Sequence, residues 1–208
     1  MKLIKISDQL SGRNSNKIVL FKTGFNKEYN DTLGLIVRNV FPESYDTSNF
    51  RTFSSWKKSN VLELKFEEIR KLERTLISSL VILRHEYIND YRGAFPSFVT
   101  GWVNVLKKFD GDHQPHRHHL SPFNLVAVYY SDGDFERGGG ATRFFLDDSN
   151  KEIIQDFNPE AGDLILFPAN MLHSILAYCS ERPRITFCFD LRLKMNDFYG
   201  FPAKKIEE

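Results

Sequence analysis

Cysteine is scarce: Cys179 and Cys188 are the only two in 208 residues. Two cysteines cannot build a disulfide framework, so a reducing, cytoplasmic setting is expected. An excess of one charge is missing as well, since 28 basic and 27 acidic side chains leave a formal +1. That balance gives no general electrostatic footprint for nucleic acid or an anionic membrane. No apolar run approaches the ~20 residues a membrane helix requires. The opening MKLIKISDQLSGRNSNK is too polar for a secretory signal. Repeats, low-complexity tracts and Gly/Ser linkers are also absent, which predicts one domain over residues 1–208. Membrane, collagen-like, coiled-coil and disulfide-scaffold classes are thereby excluded.

What remains is an ordinary globular composition, 41% hydrophobic and 26% charged, with an unusual load of 19 Phe. In the first 95 residues, Lys17–Lys22 reads as a short strand, Asp31–Val40 as helical turns ended by Pro42, and Ser54–Asn60 as a polar loop. From about Leu64 to about Tyr91 the spacing predicts a long helix. Its apolar face would be Phe66, Ile69, Leu72, Leu76, Leu80 and Leu83, with His85 a packed or surface histidine. After Pro96 the texture changes to short β-rich runs: SFVTGWVNVLKKF, NLVAVYY, ATRFFL, EIIQDF, DLILFP, SILAY and RITFCFDLRL. Turn signals such as Asp110-Gly111, Ser131-Asp132-Gly133 and Gly138-Gly139-Gly140 separate them. The pattern predicts an α+β, mainly β protein: an antiparallel sandwich or barrel with helices on one face. Residues 1–95 form a helical and strand support, and one sheet lies between the other sheet and the helix.

Histidine is concentrated in one place. Four of the six, His113, His116, His118 and His119, fall within seven residues. In an extended segment His116 and His118 point to one side while Arg117 faces away. Neutral imidazoles suit Fe(II), Zn(II), Ni(II) or Cu(II). His173, which follows the strand-like GDLILFP and opens another run, is the best third ligand. Asp112, His113 and His119 are competing ligands, and a solvated His-rich loop is the bland alternative.

The order of motifs resembles the iron(II)/2-oxoglutarate-dependent oxygenases, in particular the prolyl-4-hydroxylase-like branch and a group in it with an H-x-H motif. The elements are Trp102-Val103-Asn104, Gly111-Asp112, Pro115-His116-Arg117-His118, Gly139 to Phe144, Pro159 to Pro168, His173 and Arg184-Ile185-Thr186. They span roughly residues 96–193, about half the chain. The resemblance implies a double-stranded β-helix (jelly roll) over that span. It also implies a dioxygenase with Fe(II) as metal and 2-oxoglutarate and O2 as co-substrates, hydroxylating a substrate with release of succinate and CO2. His116, His118 and His173 become the catalytic metal ligands. The usual motif has Asp or Glu where His118 stands, so the metal site would be more positive. Arg184 would hold the far carboxylate of 2-oxoglutarate, because guanidinium pairs bidentately with carboxylate. Arg182 has the wrong offset from the strand. Thr186 adds a hydroxyl donor on the face that Cys188 continues, while Ile185, Phe187 and Phe189 face the opposite core. Tyr130 or Tyr129 would support the co-substrate, Tyr130 being favoured, although parity leaves the pair open. Asn104 could bond co-substrate or substrate. Two other readings stay open: a cupin-like three-histidine metalloenzyme that does not use 2-oxoglutarate, and a non-catalytic barrel serving as an interaction scaffold. The primary substrate is not legible; a protein side chain, amino acid, nucleobase or small metabolite would all fit.

Overall fold

Strands form where apolar alternation finds cover on both sides, and in this chain the cover comes from two directions. The computed structural model describes residues 2–5, 18–45, 52–86, 94–108, 112–119, 124–145 and 153–195. Its strands are β1 (Lys2–Lys5), β2 (Val19–Lys22), β3 (Thr52–Ser54), β4 (Ala94–Leu106), β5 (Leu125–Asp132), β6 (Thr142–Phe145), β7 (Ile153–Phe157), β8 (Asp163–Pro168), β9 (His173–Ile175) and β10 (Arg184–Met195). A large antiparallel sheet has the order β1-β2-β8-β5-β10-β4-β3, and a small one has the order β7-β6-β9. The two face each other as a double-stranded β-helix. Helices α1 (Lys27–Val40) and α2 (Glu67–Glu86) cover the outer face of the large sheet.

The residue spacing explains this layering. On α2, Ile69, Leu72, Leu76, Leu80 and Leu83 are buried, and they pack with Leu33 and Val37 of α1. Against them stand Ile185, Phe187, Phe189 and Leu191, the odd-numbered face of β10. Each such aliphatic or aromatic side chain contributes about 1.5–3 kcal/mol by leaving water. The even-numbered face turns the other way. Cys188 joins Trp102, Val126, Val128, Tyr130, Phe144 and Phe167 between the two sheets. The large sheet is therefore sandwiched, as the doubly apolar runs imply.

Three boundaries differ from expectation. Helix α1 starts at Lys27, four residues before Asp31, because Asn26 caps it: the Tyr29 amide donates to Asn26 Oδ1 at 3.0 Å. Ser54 closes a strand, β3, that pairs with β4, so the loop begins only after it. Phe66 precedes α2 and is exposed, so the buried stripe begins at Ile69. The expected continuation of α2 to Tyr91, the Asp110-Gly111 turn and the His85 side chain lie outside the described residues.

Candidate active site

Between the sheets lies a cavity of about 330 Å³, and one strand face lines much of it. Arg184, Thr186, Cys188 and Asp190 alternate along β10 and all border the cavity. Their neighbours are fixed by register: Thr186 lies opposite Asn104 of β4 and Tyr130 of β5.

The histidines come together by backbone pairing. His116 and His173 form an antiparallel bridge, with His116 N–H donating to His173 O at 2.9 Å and the reverse bond at 3.1 Å. The segment carrying His116 thus runs beside β9, and His118 N–H continues the contact by donating to Ala169 O. One ligand atom from each of His116, His118 and His173 lies within 4.8 Å of the others. Every one of these rings has its Nδ1 engaged: His116 with Gln114 O at 3.2 Å, His173 with Met171 O at 3.0 Å, and His118 with Asp190 Oδ1 at 2.6 Å. A carbonyl or carboxylate oxygen can only accept, so Nδ1 carries the proton and donates. The Nε2 lone pairs are left for a metal ion. Burial holds the His173 imidazole well below its ordinary range, with His116 and His118 lowering it further, so the ring stays neutral as a ligand must be. The donor set fits a divalent first-row metal such as Fe(II).

At the other end of the same strand face sits Arg184, 1% exposed. Its Nε is buried without a hydrogen-bond partner, and no carboxylate among the described residues pairs with the guanidinium. The group lies over the Tyr130 ring, 5.2 Å from its centroid. Gly140, at φ +73°, makes room for it, since a Cβ there would meet Arg184 Cδ at 3.1 Å and Tyr178 at 2.9 Å. A buried cation without a counter-ion at the wall of a cavity can receive an anion.

The remaining expected residues divide clearly. Tyr130 faces the space between the sheets, its hydroxyl 2.8 Å from Thr142 Oγ1, whereas Tyr129 faces the helices and bonds Asn30. Tyr130 itself does not line the cavity, but it backs Arg184. Asn104 lines the cavity and donates to Cys188 Sγ at 3.3 Å; burial pushes that thiol up to about 12. Arg182 is exposed and pairs with Asp132. Asp112 accepts from Ala177 N–H at 2.9 Å, and His119 is exposed. Neither belongs to the three-histidine group. His113 borders the cavity beside Thr52 without joining that group. Sequence reasoning missed Asp190, although an acidic residue sharing the parity of Arg184 and Thr186 in an apolar strand was a readable signal.

Residues 100–190 match a protein family described as "Putative 2OG-Fe(II) oxygenase". No curated protein matches the chain. Among solved structures the chain is similar to a prolyl-4-hydroxylase from Pseudomonas putida, at 13% identity and a TM-score of 0.60 over 86% of this chain and 93% of that one. A prolyl hydroxylase from Trichoplax adhaerens, solved with a hypoxia inducible factor peptide, gives 14% and 0.62 over 86% and 84%. The viral collagen prolyl hydroxylase of Paramecium Bursaria Chlorella virus-1, solved with 2OG, gives 16% and 0.57 over 86% and 99%.

Proposed function

With residues 100–190 belonging to the 2OG-Fe(II) oxygenase family, we propose that this enzyme hydroxylates its substrate with His116, His118 and His173 as the iron ligands and Arg184 as the anchor for 2-oxoglutarate. The family sets Fe(II), 2-oxoglutarate and O2 as the reaction partners. Iron bound at the three histidines supplies oxygen activation, and the overall change is substrate C–H, O2 and 2-oxoglutarate to C–OH, succinate and CO2.

The protein's own contribution is positional. Nδ1 hydrogen bonds hold each imidazole in one tautomer and orientation. Arg184 offers its planar fork to the far carboxylate of the co-substrate, and the Thr186 hydroxyl adds a donor on the same face. Tyr130 keeps the guanidinium aimed from behind, and Asn104 borders the chamber from β4. Trp102 and Val128 supply apolar wall, which limits water near the reacting atoms. The observation that carries this reading is Arg184: a buried cation lacking a counter-ion that lines the same cavity as three converging imidazoles. In a metalloenzyme that does not use 2-oxoglutarate, Arg184 would instead be structural or bind the substrate directly, and an inert scaffold would bind no co-substrate.

The test is anaerobic titration of the Fe(II)-loaded protein with 2-oxoglutarate. A visible metal-to-ligand charge-transfer band that saturates at one equivalent is expected. A protein that binds iron but never develops the band contradicts the co-substrate assignment.

A further inference from the structure

Of the three imidazoles that converge, two lean on neutral backbone carbonyls, those of Gln114 and Met171. The third, His118, leans on a carboxylate, Asp190 Oδ1 at 2.6 Å. Three neutral nitrogens leave a divalent cation with its whole charge, in a chamber walled partly by Trp102 and Val128. An ion so placed is poorly compensated unless a counter-charge stands close. Asp190 lines the same cavity, and among the described residues no Lys or Arg pairs with it. Its place is fixed by β10, where it lies opposite Thr100 and Val126 in the middle of the sheet. The His118 ring also packs near the Trp102 ring, with centroids 5.4 Å apart.

We propose that Asp190 is a positioning residue for the metal: through the His118 imidazole it supplies the negative charge that the three-histidine ligand set lacks. The proposal rests on the reading that His116, His118 and His173 hold the metal. A carboxylate on Nδ1–H does two things. It fixes the ring with Nε2 toward the ion, and it polarises the imidazole so that Nε2 becomes a stronger donor. Strand β10 then serves both ends of the chamber, with Arg184 receiving the anionic co-substrate and Asp190 balancing the cation.

The experiment uses the full chain freed of metal and titrated with Co(II), an air-stable stand-in for Fe(II), by competition with a chromophoric chelator. Asp190→Ala removes bond and charge and is expected to weaken Co(II) binding about 10–100-fold. Asp190→Asn keeps an acceptor for Nδ1–H but removes the charge. It is expected to bind Co(II) more weakly than wild type and to raise the Fe(III)/Fe(II) midpoint potential, a shift that a purely structural role would not produce. Asp190→Glu is expected to recover part of the affinity. Asp132→Asn, at a carboxylate that pairs with Arg182 and accepts from the Gly133 N–H but does not line the cavity, serves as the control and should bind as wild type does. If the wild type binds one Co(II) and all three Asp190 variants bind it within twofold with unchanged potential, the proposal is overturned alone. If the wild type binds no metal, the metal reading beneath it falls as well.

Discussion

Arg184 is a charged side chain that the fold buries to 1% exposure. Taking a guanidinium to full burial is costly, and nothing among the described residues repays it with an opposite charge. Burial accordingly pulls its pKa down from the ordinary arginine value, though guanidinium stays protonated at neutral pH. The group is thus retained against stability, as a binding feature would be. Arg184→Met should therefore raise the melting temperature of the free protein, because a buried charge carries an unrepaid desolvation cost that an apolar side chain of similar volume does not. The same variant should lose the stabilisation that added 2-oxoglutarate gives the metal-loaded wild type. Thermal melts of both proteins with and without 2-oxoglutarate read both effects. A variant that melts lower yet still responds to 2-oxoglutarate would contradict this role.

Strands, more than helices, decide where these side chains point. The parity of β10 was legible because period two needs no knowledge of neighbours: Arg184, Thr186 and Cys188 share one face, and Ile185, Phe187 and Phe189 share the other. Parity alone did not separate Tyr129 from the favoured Tyr130, because both are aromatic and both faces of β5 are buried. Only the pairing of Tyr130 with Thr186 across the sheet tells them apart. Strand β3 was hidden by its length, three residues between polar flanks. The small sheet adds its own ladder contact, Arg143 bridging Asp156 through two bonds of 2.7 and 2.6 Å. The hydrogen bond from Arg143 holds the Asp156 carboxyl below its usual range. A depressed carboxylate contributes stability above its unfolded pKa and loses it as pH falls through the folded one. Both side chains are partly exposed, so Asp156→Asn should cost about 0.2–1 kcal/mol at neutral pH. Denaturant melts should show that difference shrinking with added salt and closing as pH drops below about 3.8. A difference that persists in acid would assign it to packing instead.

At the level of the whole molecule, two cores share one sheet. The outer core, with α1 and α2, stiffens β10 and β5 from behind. The inner core leaves a chamber lined toward one end by the three imidazoles and toward the other by the Arg184 guanidinium. The grouping of His116, His118 and His173 and the shared face of Arg184 and Thr186 were legible because histidine spacing and an R-x-T strand motif survive in one dimension. Asp190 was not singled out, because its partner His118 lies 72 residues away and only the sheet brings them together. No helix among the described residues is long and apolar enough to cross a membrane.

Calorimetry of 2-oxoglutarate binding, in the absence of oxygen and with or without Mn(II), tests the central claim most directly. The wild type should bind one 2-oxoglutarate per chain in the Mn(II)-loaded state and far more weakly without metal. Arg184→Ala should still take up Mn(II) while losing two to four orders of magnitude in 2-oxoglutarate affinity, the equivalent of the ~3–5 kcal/mol cost of stranding one buried charge. Metal-loaded wild type that ignores 2-oxoglutarate, or an Arg184→Ala variant that binds it undiminished, would contradict the account.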